Sequence, residues 1–486
     1  MMKPSSAAEA AASKVRGDRA TAPWRAGVVF ATLLGAAGIA QAQNVGPAPP
    51  NNGGDDSLTW KGVTLYGIVD IGLQYQSHGT PISDYFPPGS NEIIQKNANK
   101  SVLGFTPSNL SQSRVGLSGK EPLPMAGDWS GVFRMETFFN PQSGDLSDGL
   151  KAVALNNGRA LTAQNSGVDT SVAGQAFQQL YAGFSSPTFG TVTFGRQNTL
   201  FADAVAKYDP MGASQAFSLI GFSGTASGGG DTEDRRLDQS LKYVLASQGV
   251  HAGAEYKFNG SSGSAATAYE LQLGGEYAGL SVDGYYLFVK DAVSAASLSA
   301  GQVGDLAGLG YSVTNSLTAT ISDNRTYALV AMYDFGAPKI YGGYEHIKYS
   351  NPGTPLPAGY VDEGGYILAF VNDQVGPGST FLNAKDLDIY WAGIKYAFMP
   401  SLEATAAYYG ITQNAYAHGA DTGCRTNISS GCSGNENVAS VMLDYRFAKR
   451  FDFYIGTMYS DVTNGLSNGF LRTSTMASTM GVRFKF

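Results

Sequence analysis

The sequence predicts an all-β fold: a sixteen-stranded antiparallel transmembrane β-barrel with short turns at one end and long loops at the other. Three observations predict it. A period-two alternation of apolar and polar residues recurs from residue 61 to the last residue. The connections between alternating segments are short and long in turn. Charge has given way to aromatic, glycine and small polar residues. Charged residues make up 15% of the chain, and there are 62 Gly, 27 Tyr and 25 Phe. Soluble domains carry roughly 25% charge.

The first 42 residues read as an export signal. Lys14, Arg16, Arg19 and Arg25 precede the apolar run AGVVFATLLGAAGIA, and Ala40-Gln41-Ala42 offers small residues for cleavage. The expected organisation is a signal peptide over 1–42, a Pro/Gly/Asn-rich linker over 43–60 and the barrel over 61–486. Removing 1–42 takes away Lys3, Lys14, Arg16, Arg19, Arg25, Glu9 and Asp18, which moves the net charge from −7 to −10. A basic nucleic-acid footprint is therefore absent. No later stretch approaches 18 uninterrupted apolar residues, so helical membrane spans are excluded.

The first strand follows at once in KGVTLYGIVDIGLQYQ. Val63, Leu65, Val69, Ile71 and Leu73 share one face; Thr64, Tyr66, Asp70 and Gly72 share the other. Such alternation argues a half-buried strand. The same code recurs in SQSRVGLSGKE, WSGVFRMETFF, QAFQQLYAGFSS, GTVTFGRQN and RRLDQSLKYVLA, then in GVHAGAEYKF, AYELQLGGEY, LSVDGYYLFVKD and RTYALVAMYDF. It continues through KIYGGYEHIKYS, LDIYWAGIKYAF, SLEATAAYYGIT, NVASVMLDYRF and RFDFYIGTMYSD to TSTMASTMGVRFKF. Strands of this length cross a bilayer at a tilt.

Between them lie short links such as SPTFG, SQG, YAG and AKR. The expected long loops cover 76–111, 140–175, 198–235, 291–323, 351–386 and 413–436. In the strand NVASVMLDYRF, Val441, Leu443, Tyr445 and Phe447 oppose Asp444 and Arg446. The charged parity implies a wet interior and an apolar exterior. The final strand keeps its period to Phe486, because a barrel closes only if its last strand pairs with its first and leaves no edge in lipid.

VTLYGIVDIGLQYQ, SRVGLSGKE followed by GVFRMETFF, YAGFSSPTFGTVTFGRQ, RRLDQSLKY and the terminal VRFKF together resemble the trimeric general porins of Gram-negative bacteria, most nearly the beta-proteobacterial type. The resemblance covers roughly 60–260 and the last dozen residues. It implies an outer-membrane homotrimer with long extracellular loops and short periplasmic turns, whose third loop folds into each lumen. It also implies contact with outer-membrane lipid and lipopolysaccharide, and a terminal signal, here Phe484 and Phe486, read by the barrel-assembly machinery. The implied activity is passive diffusion of small hydrophilic solutes and ions, with no cofactor and no metal.

A diffusion pore needs a size limit and charges that offset a solute's dehydration. The loop after TFGRQ is the candidate constriction, and its acidic residues are Asp203, Asp209, Asp231, Glu233 and Asp234. The facing basic wall is expected from Arg114, Arg134, Arg236 and Lys242. Arg236 and Lys242 share one parity, and Arg114 sits where relatives place a constriction arginine. Arg196 shares parity with Val192 and Phe194, so it is expected to point outward. Gln178 stands where many relatives carry a lumen arginine. The acidic loop and net charge predict a weak cation preference. Cys424 and Cys432 are expected to form a local disulfide, since exported chains meet oxidising conditions.

Three rival readings remain. A barrel enzyme needs a nucleophile–histidine set, and the four His lie near no recognisable nucleophile motif, so catalysis is not expected. An adhesion barrel would work through its long loops, and a substrate-specific porin would carry a saturable site.

Overall fold

The computed structural model describes residues 58–78, 101–144 apart from 125 and 143, 177–221, 236–258, 267–297, 317–350, 361–363, 366–369, 384–414, 433–464 and 472–486. Sixteen strands form the barrel. They are β1 (Val63–Gln76), β2 (Arg114–Pro122), β3 (Ser130–Phe138), β4 (Gln179–Ser186), β5 (Gly190–Asn198), β6 (Arg236–Ser247), β7 (Val250–Lys257) and β8 (Thr267–Tyr277). There follow β9 (Leu280–Ser297), β10 (Leu317–Asp334), β11 (Pro338–Ser350), β12 (Lys385–Met399), β13 (Leu402–Gln413), β14 (Gly434–Ala448), β15 (Phe451–Asn464) and β16 (Ser474–Lys485). Each pairs antiparallel with the next.

Closure comes from β16 on β1, from Ile68↔Lys485 to Gln76↔Ala477. The chain terminus completes the seam: Phe486 N–H donates to Gly67 O at 3.0 Å, and Gly67 N–H donates to Phe486 O at 2.9 Å. The period of two kept to the last residue is thus spent on pairing.

Tight turns follow from local chemistry. Gln248-Gly249 and Ala278-Gly279 have positive φ at both residues, which matches the twist of the strands that they join. The outer face is apolar as expected. Val441, Leu443, Met480 and Val482 are each more than 40% exposed, whereas Asp70, Gln74 and Thr479 on the other parity are buried.

Two kinds of feature differ from the expectation. First, the expected loops are interrupted by strand: within 76–111, Val102–Pro107 pairs with Ile71–Gln76, and within 351–386, Val361–Glu363 pairs with Tyr366–Ala369. The fifth loop is shorter than 291–323, because β9 and β10 stay in register through Ser297↔Leu317 beyond a bulge after Val289. The alternation of Leu317, Ala319 and Ile321 with Thr318, Thr320 and Ser322 is the signal for the added strand, but the Ala- and Ser-rich partner Ala292–Ser297 carries no such pattern. Second, the interior is not polar all round. Leu287 (β9), Val330 (β10), Ile347 (β11), Ile389 and Trp391 (β12), Ile411 (β13) and Val438 (β14) all point inward and are buried in one cluster. Segments such as LDIYWAGIKYAF are accordingly apolar on both faces. Loop 3, described next, covers that half of the inner wall.

Candidate channel constriction

Loop 3 leaves β5 and forms a nine-residue helix, α1 (Leu200–Tyr208). Thr199 caps it, its Oγ1 accepting from Ala202 N–H at 3.1 Å. From β8, the Glu270 carboxylate accepts from Leu200 N–H at 2.6 Å and Phe201 N–H at 2.7 Å. A carboxylate there satisfies two orphan donors and faces the positive end of the helix dipole. Leu200, Phe201, Ala204, Val205 and Tyr208 form the buried stripe. Sequence reading missed this helix. The signal for it, a Thr cap followed by apolar residues at helical spacing, is present in NTLFADAVAKY.

The loop then follows the inner wall strand by strand. Tyr208 OH bonds Ser281 Oγ at 2.6 Å and Asp283 on β9, and Trp391 Nε1 on β12 donates to Tyr208 O at 3.0 Å. Pro210 lies against Gly393 so closely that a Cβ there would stand 2.5 Å away. Tyr409 OH on β13 donates to Asp209 at 2.5 Å. Phe217 meets Tyr454 of β15 edge-on at 6.3 Å. Fully burying side chains such as Phe201, Phe217 and Ile220 contributes about 1.5–3 kcal/mol each, enough to hold a loop against the wall.

Of the residues expected in a basic wall, Arg114 and Arg134 share one carboxylate. Arg134 Nη2 lies 2.6 Å and Arg114 Nε 3.8 Å from Glu136 Oε2 on β3. Glu136 also accepts from Tyr66 OH at 3.0 Å and Gln179 Nε2 at 3.1 Å. The Arg134 guanidinium stacks over Tyr66 at 5.2 Å, and that of Arg236 over Phe138 at 4.7 Å. Phe138 is the cross-strand partner of Arg114. Two guanidiniums are thus gathered around one carboxylate, with that of Arg236 on the neighbouring Phe138.

Other expected members have different jobs. Lys242 Nζ is buried, giving 2.7 Å to Asp203 and 2.8 Å to Asn198 O, so it ties down the root of loop 3. A bulge at Gln239 (φ 52°) breaks the parity that Arg236 and Lys242 seemed to share. Asp209 caps the end of α1 and is 1% exposed. Its carboxylate accepts from Tyr409 OH and from the backbone N–H of Met211 and Ala213. It presents no charge to a passing solute, and burial pushes its carboxyl above the usual carboxylate range. Arg196 lies in the outward register opposite Leu180, as expected, and pairs with Asp238. Gln178 is buried, its N–H on Glu136 O at 2.8 Å. Phe484 stacks between Phe451 and Phe486 at 4.5 and 5.6 Å. Asp231, Glu233, Asp234, Cys424 and Cys432 lie outside the described residues.

A family model described as Gram-negative porin matches residues 28–465. The chain belongs to the Gram-negative porins. With a closed barrel and an apolar exterior, that membership places it in the outer membrane. An outer membrane porin protein of Bordetella pertussis is 28% identical over 232 residues, 47% of this chain and 46% of that one. The porin therefore spans about half the length of that curated relative. Among solved structures, an anion-selective porin from Comamonas acidovorans superposes with a TM-score of 0.55 at 18% identity, covering 87% of this chain and 99% of that chain. OmpT of Vibrio cholerae gives 0.52 at 15%, covering 88% and 99%. Its trimer form gives 0.50 at 14%, covering 87% and 99%. At these identities the likeness is one of fold.

Proposed function

We propose that this porin is a water-filled diffusion channel for small hydrophilic solutes, narrowed by loop 3, assembled as a homotrimer and weakly selective for anions. The observation that carries the reading is the division of the lumen. Loop 3 is fixed along the wall of β7–β15, while Arg114 and Arg134 share Glu136 on β3 and Arg236 stacks over Phe138, the cross-strand partner of Arg114; this grouping of bases away from the contacts of loop 3 supports the reading. Charged rings at a constriction set which ions pass.

The weak cation preference expected from net charge finds no support at this site. Asp203 is consumed by Lys242 and Asp209 by loop geometry. Net charge spread over a whole barrel weighs less than charges at the narrowest point, since surface charges beyond about 10 Å are screened at moderate salt. The anion selectivity named for the Comamonas porin and the trimer form of the Vibrio protein agree with the reading in kind. An outer-membrane address also makes lipopolysaccharide and the barrel-assembly machinery its expected partners, with Phe484 and Phe486 as the insertion signal.

Reconstitution of the purified trimer into planar bilayers tests the proposal. Stepwise ohmic conductance that small sugars and organic anions reduce without saturation is the expected result. Saturable block by one solute class would instead indicate a substrate-specific porin, and silent membranes would refute a channel.

A further inference from the structure

The strand that partners β1 is interrupted. Its upper part, Val102–Pro107, pairs with Ile71–Gln76, and its lower part begins at Arg114 opposite Ile68. Between these anchor points β1 has two residues, Val69 and Asp70, where its partner has six, Ser108–Ser113. The surplus turns into the lumen. Ser108 takes a left-handed conformation (φ 59°), and Ser108 Oγ accepts from Ser113 N–H at 2.9 Å to close the neck. Asp70 fills the inside: its Oδ2 accepts from Leu110 and Ser111 N–H, each at 2.8 Å, and its Oδ1 from Tyr454 OH at 2.5 Å. Arg483 Nη1 holds Ser111 Oγ at 2.8 Å from β16.

This excursion meets the far end of loop 3. Asn109 O, turned away from its own ladder, accepts both Ala216 N–H at 2.9 Å and Ser214 Oγ at 2.8 Å. Gln215 Nε2 donates to Gln112 Oε1 at 2.6 Å. Leu110 joins the apolar cluster of the loop, and Asn109 Nδ2 reaches Tyr454 OH at 2.9 Å. A strand bulge this large leaves backbone groups without ladder partners and persists only where something compensates. Here the compensation comes from Asp70 below and loop 3 above.

We infer that Ser108–Ser113 is the seat for the distal end of loop 3, so that this excursion of the second strand and not loop 3 alone sets the width and steadiness of the constriction. Loop 3 is fixed at its root by Glu270 and at its middle by Tyr409; without the seat, residues 211–221 lose their backbone-to-backbone anchor. Asn109 and Leu110 are positioning residues in this scheme, while Asp70 positions them. The inference rests on the reading of loop 3 as the constriction.

Two full-length variants test it. In one, Cys424→Ser and Cys432→Ser are combined with Gln112→Cys and Gln215→Cys. Oxidation should give an intrachain cross-link, seen as a reducible mobility shift, with open-channel conductance unchanged and brief partial closures suppressed. Absence of a cross-link, or a cross-link that markedly lowers conductance, overturns the seat. In the other, two residues replace Ser108–Ser113. The heat-modifiable barrel should form and show raised conductance and open-channel noise; unchanged conductance and noise in a folded variant overturns the inference. If that barrel fails to fold, the cross-link still decides. A third variant lacking 211–221 separates the two readings: unchanged conductance there refutes loop 3 as the constriction, whatever the cross-link shows.

Discussion

Tyr409 and Asp209 stand 200 residues apart in sequence and share a 2.5 Å hydrogen bond inside the barrel, phenol donating to carboxylate. The bond joins the middle of loop 3 to β13 and withdraws the acid from the passage. Asp209→Asn should therefore leave ion selectivity unaltered, as reversal potentials would show. Asp209→Ala should cost about 1–3 kcal/mol for each donor left unsatisfied, seen as a lower unfolding temperature. Burial raises the Asp209 carboxyl, so the folded state holds that proton more tightly than the unfolded chain. Its contribution to stability is full at low pH and is lost as pH climbs from the ordinary carboxylate range through the raised value. Asp209→Asn should flatten that decline.

The arginine wall gives a second expectation. Arg114→Gln and Arg236→Gln together should lower the chloride-to-potassium permeability ratio with little effect on thermal stability. Arg134→Met should be harsher. It strands the buried Glu136, and breaking a buried pair from one side costs about 3–5 kcal/mol. Melting of the detergent-solubilised trimer separates the two outcomes.

Glu270 ties α1 to β8 through two backbone N–H groups. Glu270→Ala exposes the helix start to an unmet desolvation cost of about 1–3 kcal/mol per donor. Limited proteolysis should then cut within 199–221, where the parent protein resists, and single-channel traces should become noisier at similar mean conductance.

At the seam, a Cβ on Gly67 would lie 2.3 Å from the Phe486 ring and 2.8 Å from Arg114 O. The ring can move; the carbonyl cannot without disturbing the β1–β2 pairing. Gly67→Val should cost about 1–3 kcal/mol, the usual scale of overpacking. It should also slow assembly, measured as delayed appearance of the compact form on unheated gels.

The barrel was legible because strand parity is local: each residue of VRFKF declares its face by its own chemistry, and closure demands the rest. The arginines at 114 and 134 were legible for the same reason. What escaped depends on distant partners. Asp203 and Asp209 looked like free charge in an acidic loop, and only Lys242 and Tyr409, brought in by the fold, show them spent. The segment SNLSQS reads as the end of a loop running into the start of a strand, and its inward turn is not legible because it rests on Asp70, Tyr454 and Arg483, from three other strands. Bulges at Gln239 and after Val289 broke parity where no residue type marks it.

The most direct test of the proposed anion preference is the zero-current potential of the wild-type trimer across a KCl gradient. The grouping of Arg114, Arg134 and Arg236 away from the contacts of loop 3 predicts a potential of the sign set by chloride, reduced by Arg114→Gln with Arg236→Gln. A potential of the sign set by potassium would contradict it.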